Sequence, residues 1–90
     1  MSVVRSWSRV KEIARKINRE LVLGKSIEAL RDLRVEFVKA YEEYINSLPE
    51  DKREDMFGHF RGKLIRKKDI PKLLLEDDKL FEMFVRVYGR

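Results

Sequence analysis

Residues 47–72 read SLPEDKREDMFGHFRGKLIRKKDIPK, and the way this stretch folds decides the architecture of the chain. It opens like a helix start. Ser47 can accept from the backbone of Glu50 while Glu50 reaches back, and Pro49 falls in the first turn, where its missing N–H costs nothing. Met56, Phe57, Phe60, Leu64 and Ile65 then recur at helical intervals, so the spacing predicts a helix from about Leu48 to Arg66. On that helix Gly58 and Gly62, four apart, share one bare face that lets a neighbouring helix approach, at about 1 kcal/mol each against alanine. A bend near Gly62 is the competing reading. Beyond it, Asp69 caps a short helix with Pro71 in its first turn and Leu73, Leu74 and Leu75 as its apolar surface.

Upstream, Val3, Trp7, Val10, Ala14, Ile17 and Leu21 recur at intervals of three and four, which predicts a helix from about Val3 to Leu23, capped by Ser2 and stopped by Gly24. Ser26 caps a second helix, with Glu28 in its first turn. The stripe of this helix runs through Ile27, Leu30, Leu33, Phe37, Tyr41, Tyr44 and Leu48 and is widened by Val38 and Ile45. A stripe this wide suits a central helix with more than one neighbour, and the charges of its remaining surface, Arg31, Arg34 and Lys39 among them, read as solvated. Downstream, Asp77 or Asp78 caps a last helix carrying Leu80, Phe81, Met83, Phe84, Val85 and Tyr88. No strand alternation, hairpin turn or internal repeat is evident. The expectation is an all-α, compact single-domain bundle of four to five helices spanning residues 1–90.

Composition agrees. Ninety residues hold one core, and an apolar fraction of 43% with five Phe, three Tyr and one Trp is enough to fill it. The chain has no cysteine and only one histidine, His59, so disulfides, thiolate chemistry and a cysteine or histidine metal cluster are ruled out. It also lacks glutamine and threonine and is rich in Arg, Lys and Glu. Few thermolabile amides beside many ion-pair formers is the pattern of thermophile proteins. The first residues lack the apolar core of a signal peptide, and no apolar run approaches the roughly 20 residues of a membrane span, so a soluble, cytoplasmic protein is expected.

The net charge of +5 is unevenly placed. Residues 1–24 carry +4 and residues 61–72 carry +5, whereas the other three stretches are mildly acidic. Cations near helix ends, with the backbone donors of the helix start at Asp69, can hold phosphates and release their counterions. Arg5, Arg9, Arg15 and Lys16 in the first helix and Arg61, Lys63, Arg66, Lys67, Lys68 and Lys72 in the basic segment are therefore the candidate polyanion contacts. They form one face if the two segments are neighbours and two patches if they are not. The bland alternative is that the second group only complements the dipole of a helix C-terminus.

Other residues have weaker claims. Trp7, between Arg5 and Arg9, is placed either to stack on a base or, as its position in the apolar stripe favours, to pack in the core. His59 has no serine, carboxylate pair or second histidine placed to work with it, so it reads as a surface or boundary residue. Tyr41, Tyr44 and Tyr88 read as core rim. The two C-terminal helices resemble a helix-turn-helix in outline, but the second offers mainly apolar residues where base edges need polar ones. Leu80, Phe81, Phe84 and Tyr88 are instead candidates for a hydrophobic docking surface, or for core. Without glutamine, LFEMF is not a sliding-clamp-binding motif. No catalytic constellation is present, and neither a cofactor nor a small-molecule substrate is expected.

RSWSRVKEIARKINREL, RGKLIRKKDIPKLLL and LFEMFVRVYG together resemble, in whole-chain character, the small helical accessory subunits of crenarchaeal family-B replicative DNA polymerase holoenzymes. The resemblance implies a non-enzymatic subunit that binds a larger protein, a DNA polymerase, and assists it on primed DNA while binding DNA only weakly alone. It transfers no individual binding residue. The alternatives are a free-standing DNA-binding regulator of helix-turn-helix type and a helical interaction module that grips partner helices beside its second helix without touching nucleic acid.

Overall fold

The computed structural model describes residues 3–90, without the side chain of Met56. The expected cap at Ser2 lies outside that range. Helix α1 spans Val3–Val22. It ends where Gly24, at φ +93°, lets its own N–H reach Leu21 O at 3.0 Å and that of Lys25 reach Glu20 O at 3.1 Å. This pair of bonds is a Schellman stop, which the Lys25–Glu20 ion pair at 2.6 Å closes. Ser26 accepts from the Ala29 N–H at 3.2 Å and starts a 3-10 turn, Glu28–Leu30, that leads into helix α2, Arg31–Ser47.

Past α2 the expected long helix does not form. Ser47 remains in α2, and its hydroxyl donates to Tyr44 O at 2.6 Å instead of capping a new helix. Leu48 is extended, at φ −77° and ψ 152°, as the residue before a proline prefers to be. Pro49 itself takes the cap position of a single helical turn, α3, Glu50–Arg53, with no side-chain cap. Arg53 then turns back to donate to Leu48 O at 3.0 Å and Asn46 O at 3.2 Å, which satisfies carbonyls left open at the end of α2.

Residues 56–66 form an antiparallel hairpin of strands β1, Met56–Phe60, and β2, Lys63–Arg66, paired Gly58 to Ile65, His59 to Leu64 and Phe60 to Lys63. The physical reason is in the glycines. Arg61 and Gly62 have φ of +53° and +78°, the two left-handed positions of a type I′ turn, whose twist matches that of the strands. Gly58, at φ +154°, sits at a bulge between Met56 and Gly58. Gly58 and Gly62 are therefore turn and bulge residues, not a helix-packing face. An arginine in the left-handed region is costly. Here its guanidinium is held 3.3 Å from Asp77 and 5.3 Å from the centre of the Phe60 ring.

A 3-10 turn, Lys67–Asp69, leads to helix α4, Ile70–Glu76. Asp69 stands at the cap position of α4, yet its carboxylate accepts from the Arg66 N–H at 3.4 Å, so it braces the preceding turn. Helix α5, Asp78–Tyr88, is capped as expected, with Asp77 accepting from the Leu80 N–H at 3.0 Å.

The result is an all-α domain with one added hairpin, and its Cα radius of gyration, 12.8 Å, is close to the ~12 Å of one compact body of this length. Helix α1 packs on α2 and α5, and α4 packs on α2 and α5. Phe37, Ile17, Ile70, Leu74, Phe81 and Val85 are fully enclosed, and each such side chain contributes about 1.5–3 kcal/mol. Tyr41 stands at the centre of an aromatic cluster, within 6.4 Å of Phe37, Tyr44, Phe84 and Tyr88. The hairpin joins the cluster through Phe57, 5.2 Å from Phe84.

Leu80, Phe81 and Phe84 are 1%, 0% and 2% exposed, and Tyr88 is half-buried. They are core, which corrects the expectation of a docking surface there. The physical reason is that α5 turns this face inward against α2 and α1. What it leaves outside is Met83 and Val87. Among the described residues no helix is long and apolar enough to cross a membrane.

Candidate polyanion-binding surfaces

The candidate cations divide between two places. Arg5, Arg9, Arg15 and Lys16 are all exposed on α1, on the side turned away from its buried residues Ser6, Val10, Ile13, Ala14 and Ile17. Arg61 lies in the hairpin turn, Lys63 starts β2 and Arg66 ends it, Lys67 and Lys68 lie in the 3-10 turn, and Lys72 stands on α4. Neither the hairpin nor α4 is among the main packing partners of α1, so the two basic segments belong to different packing units of the fold.

Charge pairing separates the patches further. In the second, Glu54 sits 3.0 Å from the Lys68 amine and 3.6 Å from the Arg66 guanidinium, and Asp77 holds Arg61. Exposed pairs such as these contribute little to stability, at most about 1 kcal/mol each. They do place a carboxylate where a phosphate would otherwise sit. On α1, by contrast, Arg9, Arg15, Lys16 and Arg19 have no ion-pair partner among the described residues. Glu12 is the one exposed acid among them, because Glu20 is paired with Lys25.

The basic segment also builds a groove of about 490 Å³ between the hairpin and α4. Phe60, Leu64, Ile65 and Leu73 provide its apolar lining, and Arg61, Lys63, Lys68 and Lys72 stand around it. Lys63 and Lys72 have no ion-pair partner among the described residues. Of the acids at its edge, Asp69 and Asp77 are already occupied by the Arg66 N–H and by the Leu80 N–H with Arg61, leaving Glu76.

Trp7 packs 4.8 Å from Tyr44 and 4.9 Å from Tyr88, so its ring is taken up by the core rim. His59 is exposed on β1 opposite Leu64. Among the described residues no group of three or more His, Asp or Glu side chains is placed to hold a metal ion. The Tyr41 and Tyr88 hydroxyls resist ionisation. Burial, then the neighbouring Tyr88 and its hydrogen bond, raises Tyr41 far above the ordinary tyrosine value of 10.0, and burial raises Tyr88 as well.

Arg34 corrects the expectation of a solvated face on α2. Its side chain is only 12% exposed; Nε donates to Leu74 O at 2.8 Å and a terminal nitrogen meets Asp78 at 2.7 Å. The guanidinium lies 4.7 Å from the centre of the Phe81 ring. It ties α2 to the joint between α4 and α5 and is no candidate for ligand binding. Nothing local in the sequence marks it, since its partners are 40 and 44 residues away. Glu54 is hidden for the same reason.

Comparison with protein-family models, curated proteins and solved structures finds no match to this chain.

Proposed function

We propose that the chain is a non-catalytic, cytoplasmic accessory or adaptor subunit of a nucleic-acid-processing assembly, and that the outer face of α1 is its nucleic-acid contact. The observation that carries this reading is the row of exposed α1 cations, Arg9, Arg15 and Lys16, left without ion-pair partners among the described residues. Unpaired cations on a rigid helix bind phosphates by releasing counterions, whereas cations already matched by carboxylates gain less. A few such contacts bind weakly, as suits a subunit held in place by a larger protein. A DNA polymerase holoenzyme is the assembly that the resemblance of the chain implies.

A free-standing helix-turn-helix regulator has less support. The outward face of α5 presents Met83 and Val87, and Arg86 is tied to Glu82 at 2.5 Å, which leaves little to read base edges.

The test is fluorescence anisotropy on random duplex and primed DNA over a salt series. Four phosphate contacts give a log–log slope of about −3.6, and no binding at ~50 mM salt sinks the nucleic-acid reading. A regulator binds tightly alone. The adaptor binds weakly alone and co-purifies with a large partner.

A further inference from the structure

The groove between the hairpin and α4 has a chemistry that a phosphate backbone does not match. Its lining is apolar, with Leu64 45% exposed and Phe60 and Leu73 half-buried. Its free charges are two separate cations, Lys63 on β2 and Lys72 on α4, and one carboxylate at the edge, Glu76. A continuous run of phosphates laid here would crowd Glu76 at the edge and would leave the apolar lining without a partner. A polypeptide with spaced carboxylates and apolar side chains meets both halves of the groove.

We propose that this groove docks a short acidic–apolar segment of a partner protein, its leucine or phenylalanine side chains against Phe60, Leu64 and Leu73 and its carboxylates on Lys63 and Lys72. The volume, about 490 Å³, admits the apolar side chains of one amphipathic turn or a short extended run. The charge complementarity is specific in sign and place: the two lysines without partners flank an apolar slot, and of the three acids at its edge Asp69 and Asp77 are already engaged with Arg66, Arg61 and the start of α5, which leaves Glu76 alone against the two cations. The inference rests on the adaptor reading in supposing a protein partner, and it assigns the two patches different roles, with nucleic acid on α1 and protein at the hairpin.

The experiment uses the full chain, isotope-labelled for NMR, and a set of peptides of roughly twelve residues built from Asp, Glu, Leu and Phe, with all-acidic peptides of equal charge and a primed DNA as comparators. Members of the set are expected to shift the amides of Lys63, Leu64, Lys72 and Leu73 and not those of Arg9 and Lys16. Changing Lys63→Glu together with Lys72→Glu weakens binding about tenfold or more, and Leu64→Ser, on an exposed side chain, weakens it about fivefold. Circular dichroism of both variants is expected to match that of the parent chain, which checks that they remain folded. If no member binds below millimolar concentration, if all-acidic peptides bind as tightly, or if Leu64→Ser binds unchanged, the groove assignment is overturned. Peptide binding lost with DNA binding kept removes the groove and leaves the nucleic-acid reading. The converse result removes α1 and leaves the groove.

Discussion

Arg61, at the tip of the hairpin, lies 3.3 Å from Asp77, the residue whose carboxylate also caps α5. One carboxylate thus holds a left-handed arginine and a helix start together. The cap is the larger of the two contributions, because the Arg61 side chain is 63% exposed and its pairing is screened by solvent. Replacing Asp77→Ala is expected to cost about 1–2 kcal/mol, while Asp77→Asn, which keeps a capping oxygen, stays within about 0.5 kcal/mol. Urea unfolding of both variants checks this. Equal losses would assign the stabilisation to the ion pair.

Gly89, just past the end of α5, packs tightly against α1. A side-chain carbon there would collide with the Asn18 amide and come within 2.7 Å of Val85 O and 2.8 Å of Ala14 O. The Asn18 amide itself donates to Val85 O at 2.8 Å. Gly89→Ala is expected to destabilise by about 1–3 kcal/mol through overpacking, read as a lower midpoint in thermal unfolding. An unchanged midpoint would mean that the end of α5 moves aside freely.

Arg34 is clamped between α2 and the joint of α4 and α5, and its side chain is only 12% exposed. Truncation as Arg34→Ala removes a hydrogen bond to a carbonyl, an ion pair and a contact with the Phe81 ring, a loss of about 2–3 kcal/mol. Lysine cannot hold the forked geometry, so Arg34→Lys is expected to recover less than half of it. Arg31→Ala, an exposed neighbour, is the control and stays within about 0.5 kcal/mol. Chemical denaturation of the three variants checks the order.

The buried tyrosines make stability depend on pH at the alkaline end. Tyr41 and Tyr88 have raised values in the folded state, so their contribution is complete below the unfolded value of 10.0 and is lost as pH rises above it. Between its unfolded and folded values each group lowers stability by at most about 1.4 kcal/mol per pH unit, and Tyr41, raised the further, has the wider window. Tyr41→Phe is expected to unfold with a shallower alkaline slope than the parent chain, measured as the urea midpoint between pH 9 and pH 11. Parallel slopes would sink this account.

Pairing within the basic segment predicts which cations matter for DNA. Removing Arg9 and Lys16 together as glutamines is expected to flatten the salt slope by about 1.8, and removing Arg66 and Lys68, already matched by Glu54, by less than about 0.9. Salt titrations of the two double variants decide it. The reverse order would place the nucleic-acid contact on the hairpin side.

Much of the helical frame was legible in the sequence, and the misreadings have local causes. The stripes of α1, α2 and α5 repeat over three or more turns, so their period is unambiguous, and the stop at Gly24 and a helix start at Asp77 or Asp78 follow from backbone chemistry. In residues 56–66 the apolar residues are too few to distinguish a helical period from two short strands. The signal that was present, an Arg-Gly pair between Phe60 and Lys63, is a weak form of the Asn-Gly turn signature, because arginine seldom enters the left-handed region unaided.

By itself the sequence determined an all-α frame, because three long amphipathic stripes must bury their apolar faces against one another. It also determined that the positive charge is concentrated in residues 1–24 and 61–72. Only the tertiary structure decided what that charge is free to do. Glu54 and Asp77, both remote in sequence from some of the cations they hold, neutralise part of the second segment, and the hairpin folds the rest of it around an apolar groove. The aromatic end of the chain was decided in the same way. Whether Leu80, Phe81 and Phe84 face a partner or the core depends on where α2 and α1 lie, and ion pairing and burial are set by such long-range geometry, not by spacing along the chain.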